Sequence, residues 1–152
     1  MNTFLKNRTQ EPKFCVSIAA PNTSKLKLSV NSAFSSGANF VEIRLDSIDS
    51  FSIDSIEQLS NLHKNKLILT FRSKRQGGFS NISESDRIKI LIQLLDLKHS
   101  MKDVESDIFN RNSSLFKNEK NLIVSWHNFK STPSTKSLST MIKKISKKLT
   151  ST

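Results

Sequence analysis

Hydrophobic and polar positions alternate between two rhythms along this chain. Short stretches rich in apolar residues, at about 14–19, 40–45, 67–71 and 122–126, have the length and β-branched content of strands. Between them, apolar residues recur at helical spacing. Leu26, Val30, Ala33 and Phe34 predict a helix over about 23–36, and Gly37 is placed to end it. Ser52 is placed to cap a second helix carrying Ile53, Ile56, Leu59 and Leu62. Ser83, with Asp86 three residues on, opens a third whose buried face is Ile88, Leu91, Ile92 and Leu95. A weak strand is expected near 103–105, because Lys102-Asp103-Val104-Glu105-Ser106 has little apolar content, and a short helical stretch near 107–117. The last helix places Leu138, Met141, Ile142, Ile145 and Leu149 on one stripe and lysines on the other face.

Five strand–helix units in succession predict an α/β domain with parallel strands. Two architectures use such units. A closed barrel needs eight of them and about 250 residues, so 152 residues provide about five of eight: an incomplete (β/α) barrel of TIM type. An open doubly wound sheet that bound a dinucleotide would show a Gly-rich first turn. Here the turn is Ala19-Ala20-Pro21-Asn22-Thr23, so dinucleotide binding is set aside. With no internal repeat or linker, the chain divides into a polar N-terminal tail, 1–13, and one partial barrel domain, 14–152.

Composition changes this picture little. No apolar run approaches the roughly 18 residues of a membrane span, and the polar N-terminus lacks the apolar core of an export signal, so a cytoplasmic protein without membrane contact is expected. The single cysteine, Cys15, lies in the first strand and reads as a small core residue. The net charge of +11 raises nucleic acid as a partner. Its distribution argues otherwise. Residues 1–60 carry six basic and six acidic side chains, whereas 111–152 carry nine against one, concentrated on the last helix. No Gly-rich RNA motif, zinc-ligand pair or aromatic platform accompanies those lysines, so a solvated lysine face is expected, with no nucleic acid and no metal.

The strand ends carry groups that packing does not require. Glu42, Arg44 and Asp46 alternate, which would point all three to one face of a strand. Three charges on a half-buried face must pair or bind something. They form either a structural ion network or a hydrogen-bonding set for a polyhydroxylated molecule. Arg72 ends the neighbouring strand, and Gly77-Gly78 lets the following loop come close. His127 ends the fifth strand, either as a satisfied structural residue or as a proton shuttle near neutral pH. Ser17 could supply a hydroxyl to the same face. His63 and His99 have no such company.

Glu-x-Arg-x-Asp on one strand, Thr-Phe-Arg-Ser followed by Gly-Gly on the next, Asp-x-Glu on the fourth and Ser-x-His-x-Phe-x-x-Thr-Pro on the fifth resemble type I 3-dehydroquinate dehydratase, a lyase of the shikimate pathway. The resemblance runs from about Phe14 to Leu149. It implies dehydration of 3-dehydroquinate through a lysine Schiff base, with no metal or other cofactor. His127 would be the general acid/base. Ser17, Glu42, Arg44 and Arg72 would bind substrate, with Asp46 and Gln76 in support. Family members are often homodimers. Two positions depart from the pattern. Gln76 stands where many members place a Glu that orients the His, and Asn128 stands where Asp is common. The Schiff-base lysine belongs on the next strand, a few residues past Thr152, and none of Lys130, Lys136, Lys143, Lys144, Lys147 or Lys148 matches it. The expectation is therefore a truncated dehydratase, inactive alone and prone to self-association. The runner-up is a barrel fragment acting as an anion-binding or interaction module through its basic C-terminal helix.

Overall fold

The computed structural model describes residues 11–150. Most of the expected polar tail, and residues 151–152, lie outside the described residues. The strands are β1 (Cys15–Ile18), β2 (Phe40–Arg44), β3 (Leu67–Thr70), β4 (Met101–Glu105) and β5 (Leu122–Ser125). They alternate with helices α1 (Thr23–Ser35), α2 (Ile53–Leu62), α3 (Glu84–Leu95), α4 (Ser106–Arg111) and α5 (Thr135–Thr150). All four strand pairings are parallel, and the spatial order is the sequence order β1-β2-β3-β4-β5. A doubly wound sheet reverses its strand order at a switch point. This one does not, which makes it five consecutive units of an incomplete (β/α) barrel.

Local chemistry sets the helix starts. The side chains of Asn22, Ser52 and Ser83 accept the backbone N–H of Lys25, Ser55 and Asp86, each satisfying one free donor of a first turn. Gly37, just past α1, has φ +94°, a left-handed conformation suited to a residue without Cβ. The core lies between the helices and one face of the sheet. Val41, Ile43, Leu67, Leu69 and Val104 point into it against Leu26, Val30, Ile56, Leu91 and Phe109.

Several expected core positions differ. On α3 the buried residues are Arg87, Leu91 and Leu94, so the stripe is rotated from the predicted one and Ile92 is exposed. Arg87 joins the buried face because a carboxylate waits for it there. Leu62 of α2 is exposed. Cys15 is exposed rather than a core residue, because among the described residues β1 pairs with β2 alone and its outer edge is uncovered. Phe14 and Val16 beside it are exposed too, and they line an apolar cleft of about 620 Å³ with Leu28 and Ala33. The α5 stripe is only half used. Leu138, Met141 and Ile145 are partly buried, whereas Ile142 and Leu149 are exposed. The weak strand is real and longer than expected. Lys102, fully buried in it, donates to the Leu97 carbonyl at 2.6 Å and pairs with Glu119 at 3.2 Å.

Candidate active site

The sheet face opposite the helices collects polar side chains. Register places Ser17 beside Glu42, Arg44 beside Thr70, Thr70 beside Asp103, and Glu105 beside Ser125. Arg72 and His127 each follow two residues beyond their strand's last residue on this face, at the C-terminal rim.

Glu42 is the centre of one cluster. One carboxylate oxygen accepts from Thr70 Oγ1 at 2.8 Å and from Arg72 Nη2 at 3.3 Å, and the other accepts from Ser17 Oγ at 2.5 Å. Arg72 also faces Asp103 at 3.8 Å. Burial raises the Asp103 carboxyl above its ordinary range, against the opposing pull of the Arg72 charge.

Arg44 and Asp46 do something else. β2 ends at Arg44, and Leu45–Ser47 forms a 3-10 turn, so Asp46 does not share a strand face with Glu42 and Arg44 as expected. Its side chain is fully buried at the strand end, where it accepts four donors: Arg44 Nε at 3.0 Å and Nη2 at 2.8 Å, Arg72 N at 3.2 Å and Phe79 N at 3.0 Å. Burial alone would raise this carboxyl. The Arg44 pair and the two backbone donors overcome that and hold it below the usual range. Arg44 further donates to the Gly77 carbonyl at 3.2 Å and lies over the Phe79 ring, 5.1 Å from its centroid. This pair clamps the loop that follows β3. At Gly78 that loop comes so close that an added Cβ would sit 2.1 Å from the Arg72 carbonyl oxygen.

A second network holds the histidine. Arg87 of α3 pairs with Glu105 at 3.0 Å, both almost fully buried. Glu105 accepts from the backbone N–H and hydroxyl of Ser73, at 3.0 and 2.8 Å. Ser73 in turn caps the 3-10 turn Lys74–Gln76. That turn delivers Gln76, which is buried, to His127. Gln76 Oε1 accepts the His127 backbone N–H at 2.9 Å and lies 3.3 Å from ring atom Nδ1. Burial, then the Arg72 charge, lowers the His127 pKa, against the pull of Asp103, Glu105 and Glu42. The imidazole is therefore neutral near pH 7 and available as a base. The ring borders a groove of about 1020 Å³ between the loop after β5 and helices α4 and α5, with Trp126, Asp107 and Lys136 on its walls.

The structure thus joins Ser17, Glu42 and Arg72 directly, places His127 on Gln76, and sets Arg44 and Asp46 to hold a loop. Sequence reasoning gave no role to Thr70, Asp103, Glu105, Arg87 or Asp107. For Arg87 a signal existed: positions 87, 91 and 94 share a helix face, and an arginine there must meet an acid. Among the described residues no group of three or more potential metal-ligating side chains converges, and no helix is long and apolar enough to cross a membrane.

The sequence model of the type I 3-dehydroquinase family matches residues 14–149. The chain is 32% identical over 112 residues to the 3-dehydroquinate dehydratase of Pyrococcus abyssi, covering 71% of this chain and 50% of that protein. It is 33% identical over 119 residues to the enzyme of the same name from Thermococcus onnurineus, covering 76% and 53%. The solved type I 3-dehydroquinate dehydratase of Clostridium difficile superposes with a TM-score of 0.76 at 21% identity, over 90% of this chain and 59% of that one. The Enterococcus faecalis 3-dehydroquinate dehydratase gives 0.74 at 20%, over 90% and 62%. The chain spans about half the length of the curated relatives it matches.

Proposed function

This chain belongs to the type I 3-dehydroquinase family, and on that premise we propose that it supplies the proton-transfer and ring-binding half of a 3-dehydroquinate dehydratase. The observation that supports this most is the pairing of a neutral, backbone-anchored His127 with the Ser17–Glu42–Arg72 cluster on one sheet face. In this reading residues 14–152 are one incomplete barrel domain, and its substrate is a ring carrying a ketone, a carboxylate and hydroxyls.

The chemistry follows from the geometry. Loss of water from a β-hydroxy ketone needs a base for the proton on the carbon between the carbonyl and the carbinol, and an acid for the departing hydroxyl. A neutral imidazole takes the proton and the resulting imidazolium returns it, so one residue serves both steps. Glu42, held by three donors, accepts from ring hydroxyls while Arg72 donates to them. Ser17, on the open strand, reaches the same ring. Arg44 and Asp46 act by fixing the loop that carries Arg72, and Gln76 by fixing His127. In this reading the covalent step, a lysine imine that acidifies the carbon, belongs to a group other than these. No metal or cofactor takes part. A cytoplasmic, self-associating protein fits the same reading.

The test is to mix the 152-residue chain with 3-dehydroquinate, reduce with borohydride, and weigh the protein. The expected result is no adduct and no dehydration. Supplying the barrel-completing segment of a relative in trans is expected to restore both. A stoichiometric adduct on any lysine from Lys130 to Lys148 would overturn the division of labour.

A further inference from the structure

We propose that Asp107 is a positioning residue for His127, acting through Gln76 to fix which imidazole nitrogen carries the proton. The inference deepens the reading of His127 as the base and rests on it. Asp107 stands in the first turn of α4, which starts directly after β4, so its carboxylate lies at the level of the strand ends. One of its oxygens, Oδ2, is occupied by Arg75 Nη2 and by Arg111 Nη2, the latter at 3.1 Å. The other, Oδ1, faces Gln76 Nε2 at 3.5 Å.

The orientation of the Gln76 amide decides the rest. The His127 backbone N–H is a donor and can bond only to the amide oxygen. That places Oε1 toward His127 and the NH2 group toward Asp107, which can only accept. Both ends of the amide therefore hold the same orientation. Oε1 is also 3.3 Å from His127 Nδ1. A neutral imidazole facing an obligate acceptor places its proton on that nitrogen, so His127 carries N–H at Nδ1 and keeps its lone pair at Nε2. Without Asp107 the amide is held by the His127 backbone N–H alone, and the molecules that rotate it, at the loss of that bond, would present NH2 to the ring and carry the opposite tautomer. Arg72, Asp103, Glu105 and Glu42 supply the charges that set the His127 pKa, and Asp107 is not among them. Its effect is on the tautomer rather than on the titration midpoint. Catalytic-site hydrogen bonds in ligand-free proteins are often long, as the 3.5 Å contact is.

The experiment is a long-range proton–nitrogen NMR correlation on the histidine-labelled 152-residue chain, which reads the ring tautomer without any turnover. The chain has three histidines, so His63 and His99 serve as internal references. The expected result is an Nδ1–H ring at His127 above its pKa. Asp107→Ala is expected to give a mixture in which an Nε2–H form becomes detectable, at an almost unchanged midpoint. Asp107→Asn, which keeps an acceptor, should restore Nδ1–H, and Arg111→Ala, which leaves the Gln76 contact, should not move it. An Nε2–H ring in the parent chain, or an unchanged ring in Asp107→Ala, overturns the proposal. Should Asp107→Ala fail to fold, the Gln76 amide protons of the parent chain decide. Protection from exchange and movement with Asp107 titration support the contact, and free exchange without such movement overturns it. An adduct in the borohydride experiment would instead count against the functional reading and leave this tautomer result intact.

Discussion

Replacing Asp46 with alanine tests the claim that this carboxylate, expected from the sequence in a supporting role, acts by clamping a loop. The side chain is fully buried and accepts two bonds from Arg44 and one each from the backbone of Arg72 and Phe79. Arg44 is itself only 11% exposed. Removing one partner of a buried ion pair leaves the other charge uncompensated and costs about 3–5 kcal/mol. A domain of this size has a total stability of about 7–20 kcal/mol at about 0.05–0.15 kcal/mol per residue. With an m-value of about 2 kcal/mol per molar urea, a loss of 4 kcal/mol lowers the midpoint by about 2 M. The assay is urea unfolding followed by far-ultraviolet circular dichroism. The pH dependence gives a second reading. The folded-state pKa of Asp46 is depressed, so its contribution is complete above the unfolded value of about 3.9 and is lost as pH falls through the folded value. The gap between parent and Asp46→Ala should therefore be wide at pH 7 and close below about pH 4. A loss smaller than about 1 kcal/mol at pH 7, or a gap independent of pH, would refute the clamp.

Other outcomes follow from the same contacts. Asp103 has the opposite sign: burial raises its pKa, so its charged form subtracts from stability at neutral pH, and Asp103→Asn should keep or raise the urea midpoint at pH 7. A loss above about 1 kcal/mol there would show that its pairing with Arg72 outweighs burial. Gly78→Ala should cost about 2 kcal/mol or more, because its Cβ would meet the Arg72 carbonyl at 2.1 Å; an unchanged melting temperature would disprove the close approach. The chain should self-associate through the open β1 edge, where Phe14 is 65% and Val16 39% exposed. Sedimentation velocity giving one monomer species at all concentrations would contradict that.

Secondary structure was legible because it depends on neighbours in sequence. Asn22, Ser52 and Ser83 lie within three residues of the donors they cap. The strands announce themselves by apolar content wherever their outer face meets helices. β4 was faint for a physical reason: it places Lys102 on the core side and Asp103 and Glu105 on the other, so only Val104 and Met101 carry the apolar signal. Cys15 misled because an edge strand and a central strand have the same pattern. What differs is whether another strand lies beside them, and a run of five residues carries no trace of its neighbour.

The candidate site was legible in its strand-end residues and illegible in its pairings, and the two differ in what determines them. Parallel strands force residues at their C-terminal ends onto one rim, so Glu42, Arg72 and His127 could be named from position alone. Which group satisfies which depends on where loops return. Arg44 and Asp46 are two residues apart and meet each other because the chain leaves its extended form between them. Gln76 and His127 are 51 residues apart, and they meet because a 3-10 turn capped by Ser73 is itself fastened to Glu105, which Arg87 holds. Each link is a short-range preference, but their order is fixed only after β3, β4 and β5 have paired in register. A rim histidine open to solvent and without a fixed partner would titrate near its ordinary value and sample both tautomers. Here burial and the Arg72 charge outweigh the pull of the acids on adjacent strands, and the ring's hydrogen-bond partner is an uncharged amide, so the fold keeps the imidazole neutral while fixing its orientation.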